Sequence, residues 1–144
     1  MKGTKYKSEK KKYIDSATGT TVWQMTDAPC NHHNMYMTKS CFTADSKTTV
    51  FLSTRSGNWN LYKMEIESGE IVQLTDFTHD VDIYSVGILP DDRVYGIMGN
   101  RMFVLDINTF EEEPLYENDH FSDDCMGSYF VWGRTRLYIV KYCI

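Results

Sequence analysis

No apolar run in the chain approaches the roughly 18 residues that a membrane-spanning helix needs. The first twelve residues are rich in lysine and lack the apolar centre of a secretory signal. They read as a flexible, solvated basic tail over residues 1–12 rather than as a nucleic-acid-binding arm. The formal net charge of -5 argues against a general nucleic-acid or anionic-membrane surface. Four cysteines (Cys30, Cys41, Cys125, Cys143) show no C-x-x-C spacing. They read as reduced thiols of a cytoplasmic protein, not as a disulfide framework or a zinc site. P-loop, nucleophile-elbow, H-E-x-x-H and EF-hand patterns are all missing.

What is present is a repeat. Asp15-Ser-Ala-Thr-Gly-Thr-Thr-Val-Trp-Gln-Met-Thr-Asp27 is its first copy, and Glu65-Ile-Glu-Ser-Gly-Glu-Ile-Val-Gln-Leu-Thr-Asp76 its second. Asp106-Ile-Asn-Thr-Phe-Glu-Glu-Glu-Pro-Leu-Tyr-Glu117 is a degraded third. The turn centres Gly19, Gly69 and Phe110 lie 50 and 41 residues apart. A period of ~40 to 50 residues marks propeller blades or other stacked arrays. Ahead of the second turn, Leu61, Lys63 and Glu65 alternate with Tyr62, Met64 and Ile66, the period of two of a strand. No helical period separates the units, which favours a propeller over a helical solenoid.

The predicted fold is therefore all-β, a partial β-propeller of about two and a half four-stranded blades over residues 13–144. An outer strand is expected over residues 18–26, its blade partners lying nowhere upstream. A first blade follows over 35–76, with its innermost strand at Met35–Thr43 and others at Thr49–Thr54, Asn60–Ile66 and Ile71–Thr75. A second covers 82–117, with its innermost strand at Ile83–Leu89 and Pro114 tolerated on an outer edge. An unfinished blade is expected over 126–144. Because a propeller protects its sheet edges by closure, such an arc implies a piece of a longer chain or an assembly. A small β-sandwich or partial barrel is the alternative.

Up-and-down blades sort their loops between two ends of the ring. All four histidines (His32, His33, His79, His120) fall in connections between successive blades. Arg55, Trp59 and Arg101 border turns at the same end. That end carries imidazoles, guanidiniums and an aromatic, suited to an anionic sugar or a metal. His33 is the leading candidate, since its ring can point to the channel and ligate, accept a proton or hydrogen-bond a substrate. His32 points the other way along an extended chain, so the pair is a poor chelate. Asp123 and Asp124 beside His120 form only a loose set.

The run His33-Asn-Met-Tyr-Met-Thr-Lys-Ser-Cys-Phe-Thr43, with Trp59-Asn-Leu-Tyr62 and the Gly69…Gln-Leu-Thr repeat, resembles the N-terminal part of oligogalacturonate lyases. The likeness runs from about Tyr13 to Tyr129. The Thr-Gly…Leu-Thr repeats alone indicate only the wider TolB-like, WD40-like propellers. The resemblance implies a seven-bladed propeller, of which this chain covers under half. It implies cleavage of pectin-derived oligogalacturonides by β-elimination, in which the C5 proton beside a carboxylate is removed. In the family a histidine is the base, and manganese and an arginine stabilise the developing charge. Those residues lie in later blades, so no catalytic and no metal residue is assigned to this chain. His33 matches a family histidine at the channel mouth and is expected to contact substrate, with Trp59 by motif match and Arg55 by loop position. The expected chain is thus an N-terminal portion of a cytoplasmic lyase, inactive alone, with Mn2+ as cofactor of the whole and no nucleic-acid or membrane partner. The alternative is a TolB-like scaffold that binds protein or saccharide without catalysis.

Overall fold

Alternation along one strand sets the packing of the first sheet. Val50 and Leu52 are buried on one side of it and Phe51 on the other. The structure, a computed structural model, describes residues 1–117, 128–132 and 137–141, with side chains described over 1–117. Its strands are β1 (Lys5–Tyr6), β2 (Lys11–Ile14), β3 (Thr21–Gln24), β4 (His32–His33), β5 (Thr48–Ser53), β6 (Asn60–Glu65) and β7 (Ile71–Gln73). Then come β8 (Gly87–Ile88), β9 (Val94–Met98), β10 (Arg101–Leu105), β11 (Glu112–Glu117), β12 (Ser128–Trp132) and β13 (Leu137–Lys141). One antiparallel sheet has the order β1-β7-β6-β5-β4 and a second the order β11-β10-β9-β8. The pairs β2-β3 and β12-β13 are two-stranded. This is the expected architecture, all-β and a partial β-propeller.

The two larger sheets bury a common seam. Leu52, Leu61 and Leu74 of the first meet Val86, Phe103 and Leu105 of the second in one apolar cluster. Each such side chain contributes about 1.5 to 3 kcal/mol when fully withdrawn from water. On the far face of the first sheet, Phe51, Tyr62, Met64 and Ile71 form another cluster, joined by Tyr6 and Met25. Pro114 lies on β11, the outermost strand of the second sheet, beside a register shift between Met102 and Phe103 of β10. An edge strand has no neighbour that needs the missing N–H.

The repeat is a recurrent turn. Gly19, Gly69 and Phe110 all have positive φ, at 71°, 75° and 62°. Their N–H groups donate to the carbonyls of Asp15, Glu65 and Asp106 at 2.8, 2.8 and 2.9 Å. The Asp15 and Asp106 carboxylates each accept two further backbone N–H groups within their turns. The recurring Gln-x-Thr-Asp ending is a side-chain clasp. Gln24 Nε2 donates to Thr26 O (2.9 Å) and Asp27 Oδ1 (2.8 Å). Gln73 Nε2 does the same to Thr75 O (2.7 Å) and Asp76 Oδ1 (3.2 Å). The third copy has no glutamine there, and so no such clasp.

Three sequence expectations need correction. The basic N-terminus is not a free tail: β1 is the outer strand of the first sheet, pairing Lys5 with Val72 and Tyr6 with Ile71. Glu9 anchors it, accepting the N–H groups of Asp27 (2.8 Å) and Ala28 (3.1 Å) on Oε2 and Arg55 Nη1 on Oε1 (2.9 Å). The strand of the first repeat does have an upstream partner, since β2 pairs with β3. The innermost strands are also shorter than expected. The first starts at His32 and is interrupted before an isolated bridge of Phe42 to Thr49. In the second, Asp82 Oδ1 accepts the Tyr84 N–H (2.9 Å) and Ser85 Oγ donates to Asp82 O (2.8 Å), turning the chain where a strand was expected.

Three substitutions test these devices. A Cβ on Gly69 would lie 2.2 Å from Ser8 Oγ, whereas one on Gly19 meets nothing within 4 Å. Gly19→Ala is expected to cost about 1 kcal/mol from backbone conformation alone, and Gly69→Ala about 2 kcal/mol or more, read by urea unfolding. For Glu9, burial would raise the pKa, but the two backbone hydrogen bonds and Arg55 outweigh it and hold the carboxyl below its ordinary 4.5. A depressed folded pKa contributes stability that is present above the unfolded value and lost as pH falls through the folded one. Stability should therefore drop more steeply between about pH 5 and pH 3 in the wild type than in Glu9→Gln, which itself costs about 3 kcal/mol at neutral pH. Equal slopes would show that the Glu9 anchor does not hold the N-terminus.

Candidate functional site

Side-chain alternation along β4 sends its two histidines to opposite faces. His32 pairs with Ser53 and His33 with Leu52. His32 packs its ring on Phe51, 6.0 Å between centroids, with Cys30 Sγ 3.7 Å from its Nε2. Burial lowers its pKa and the Arg55 charge lowers it further, against the opposing pull of Glu9. His32 is therefore neutral at neutral pH and packs as an aromatic. His33 faces the other way, between Trp59 at 6.4 Å and Tyr84 at 6.5 Å, both edge-on. The His33 ring Nδ1 contacts Asn34 O. A carbonyl only accepts, so Nδ1 is the donor in this contact and Nε2 is the ring nitrogen left to a ligand.

The loops at this end do converge. Asn31 N donates to Thr54 Oγ1 (3.1 Å), and Asn58 Nδ2 to Thr78 O (3.0 Å). Trp59 is held by its backbone, whose N–H donates to Asp80 Oδ1 at 2.7 Å. The rest of the Trp59-Asn-Leu-Tyr62 motif is structural. Asn60 Oδ1 accepts Thr75 Oγ1 (2.7 Å) and Phe77 N (2.8 Å), while Tyr62 donates its hydroxyl to Ser56 Oγ (2.8 Å). A buried amide satisfied in this way fixes the turn that presents Trp59.

Arg55 does not join His33 and Trp59. Its side chain is 5% exposed and paired with Glu9. The guanidinium lies over Tyr6, Tyr62 and Phe51 at 4.9, 5.2 and 5.8 Å. Loop position suggested a sugar contact, but the arginine is consumed in fastening the N-terminal strand. Arg101 likewise pairs with Glu112 and lies over Phe77. His79 is exposed on its loop. His120, Asp123, Asp124, Cys125 and Cys143 lie outside the described residues.

Sequence reasoning missed Tyr36, Lys39 and Tyr84. Tyr36 and Tyr84 meet edge-on at 5.9 Å. Lys39 Nζ donates to Tyr84 O (3.2 Å) and Ser85 O (3.4 Å) and lies 5.4 Å over the Tyr95 ring. The alternating pattern had assigned these residues to continuous strands. The available signal was Asp82 two residues ahead of Tyr84, a spacing that favours a side-chain-capped turn. Between this blade and the β2-β3 pair runs a cleft of ≈ 410 Å³, lined by His32, His33, Phe42, Phe51, Met64 and Met25 among others. Among the described residues no group of three or more His, Cys, Asp or Glu side chains is placed to hold a metal ion. No helix among them is long and apolar enough to cross a membrane.

A family model described as oligogalacturonate lyase matches residues 1–135. The chain is 31% identical over 132 residues to the oligogalacturonate lyase of Dickeya dadantii (strain 3937), covering 91% of this chain and 33% of that protein. It is 30% identical over 121 residues to the oligogalacturonide lyase of Pectobacterium atrosepticum, covering 83% and 30%. Two solved structures share the fold at 25% identity. One is an oligogalacturonate lyase in complex with manganese (TM-score 0.75, 86% of this chain, 32% of that one). The other is an oligogalacturonate lyase from Vibrio parahaemolyticus (TM-score 0.79, 90% and 34%). The chain spans about a third of the length of the relatives it matches. Stacked antiparallel sheets, the His33–Trp59 contact and a family match over residues 1–135 converge: the chain belongs to the oligogalacturonate lyase family.

Proposed function

We propose that this chain forms the part of an oligogalacturonide lyase that holds its saccharide, and that bond cleavage needs residues other than those described. The carrying observation is the meeting of His33 and Trp59 at the inner edge of the first blade in a member of this family. Trp59 offers an aromatic ring to the C–H face of a sugar. With Nδ1 engaged by Asn34 O, His33 Nε2 is the ring nitrogen that hydrogen-bonds a sugar hydroxyl. The reaction of the whole lyase is cleavage of pectin-derived oligogalacturonides by β-elimination at C5, in a cytoplasmic setting. Arg55 has no part in this reading, because its guanidinium is buried on Glu9.

Manganese is the metal of one related structure. The described residues do not fit such a site, since no three His, Cys, Asp or Glu side chains among them are grouped to hold a metal ion.

The purified 144-residue chain with trigalacturonate and Mn2+ should show no rise in the ultraviolet absorbance of an unsaturated uronate product. It should bind trigalacturonate, and His33→Ala and Trp59→Ala should each weaken binding by about tenfold, measured calorimetrically. Metal-dependent turnover by the chain would overturn the assignment of chemistry elsewhere. Unchanged affinity in both variants would remove the site.

A further inference from the structure

The ring pair His33–Trp59 does not end at the first blade. Tyr84, from the turn ahead of β8 in the second blade, sits against His33, and Tyr36 sits against Tyr84. Four rings thus run across the junction of the two blades, each edge-on to the next. Tyr84 remains 46% exposed although it is the outermost ring of the second blade's turn. Its position is set from three sides: Asp82 accepts its N–H, Lys39 donates to its carbonyl, and Ser85 ties the turn to Ile97 N (2.8 Å). A half-exposed aromatic on a backbone fixed this firmly is preorganised for contact rather than left over from packing.

The charges around these rings decide what kind of contact. Asp80 and Asp82 stand beside Trp59 and Tyr84, their carboxylates committed to backbone N–H groups. Lys39 is the nearby cation, and its ammonium is directed at two backbone carbonyls and the Tyr95 ring. A ligand carboxylate finds no free cation at Tyr84 among these groups, and meets two like charges instead. The face of a pyranose, with its row of weakly positive C–H groups, fits the negative face of an aromatic ring regardless of that carboxylate.

We propose that Tyr84, with Tyr36 behind it, forms a second saccharide subsite that takes a galactopyranosyl ring by its C–H face and does not read its carboxylate. This rests on the saccharide-holding reading of His33 and Trp59 and adds to it a position where a neutral, esterified residue is accepted as readily as an acid.

The test is calorimetric binding of trigalacturonate and of fully methyl-esterified trigalacturonate to the wild type, Tyr84→Ala, Tyr84→Phe and His33→Ala. Tyr84→Ala is expected to weaken both ligands by a similar factor, about five- to tenfold, and Tyr84→Phe by no more than about twofold. If His33→Ala weakens binding but Tyr84→Ala does not, the saccharide site stands and the second subsite is overturned. A Tyr84→Ala loss confined to the acidic ligand overturns the claim that the carboxylate goes unread. If neither ligand binds the wild type, the saccharide-holding reading and this subsite fall together.

Discussion

The apolar seam between the five-stranded and the four-stranded sheet is the constraint on which the rest of the molecule depends. A sheet with two apolar faces cannot stand alone in water. Leu52, Leu61 and Leu74 are covered only because Val86, Phe103 and Leu105 come up against them. That stacking brings the inner edges of both blades side by side. It is the reason a histidine on β4 meets a tyrosine from the turn before β8, 51 residues later in sequence. The ring cluster of His33, Trp59, Tyr84 and Tyr36 is a consequence of the seam.

The parts of the fold that were legible in the sequence are those written in local chemistry. The turns at Gly19 and Gly69 need positive φ, and glycine announces it. Phe110 takes the same conformation without that signal, but its position in the repeat gives it away. The alternation of Leu61 and Tyr62 along β6 predicted that they lie on opposite sides, and each is buried in a different cluster. What was not legible depends on partners distant in sequence. Lysines in the first twelve residues look solvated, yet the backbone of Lys5 and Tyr6 completes the sheet edge beside Ile71 and Val72. An exposed strand edge is unsatisfied hydrogen-bonding capacity, and the N-terminus supplies it.

The cluster of rings proposed to hold saccharide was legible in part. His33 was singled out by its place ahead of the first blade's inner strand and Trp59 by its motif, and their rings meet in the structure. Arg55 was misread because its neighbours in sequence suggest an exposed turn. Three aromatic rings and Glu9, up to 49 residues away, withdraw it from solvent. Tyr84 was hidden for the opposite reason. Its sequence looks like strand, but Asp82 and Ser85 offer the backbone a turn instead. Both errors come from side chains that compete with, or substitute for, the interactions of regular strands.

The central claim is that saccharide is held at the inner edge of the blades, at the end where His33, Trp59 and Tyr84 meet. Backbone amide NMR of the chain titrated with trigalacturonate addresses it most directly. The account predicts shifts gathered over residues 31–36, 57–60 and 82–85, with little change at the opposite turns around 44–46, 67–70 and 90–92. Shifts centred on those opposite turns, or spread evenly over the lysine-bearing surface, would contradict it.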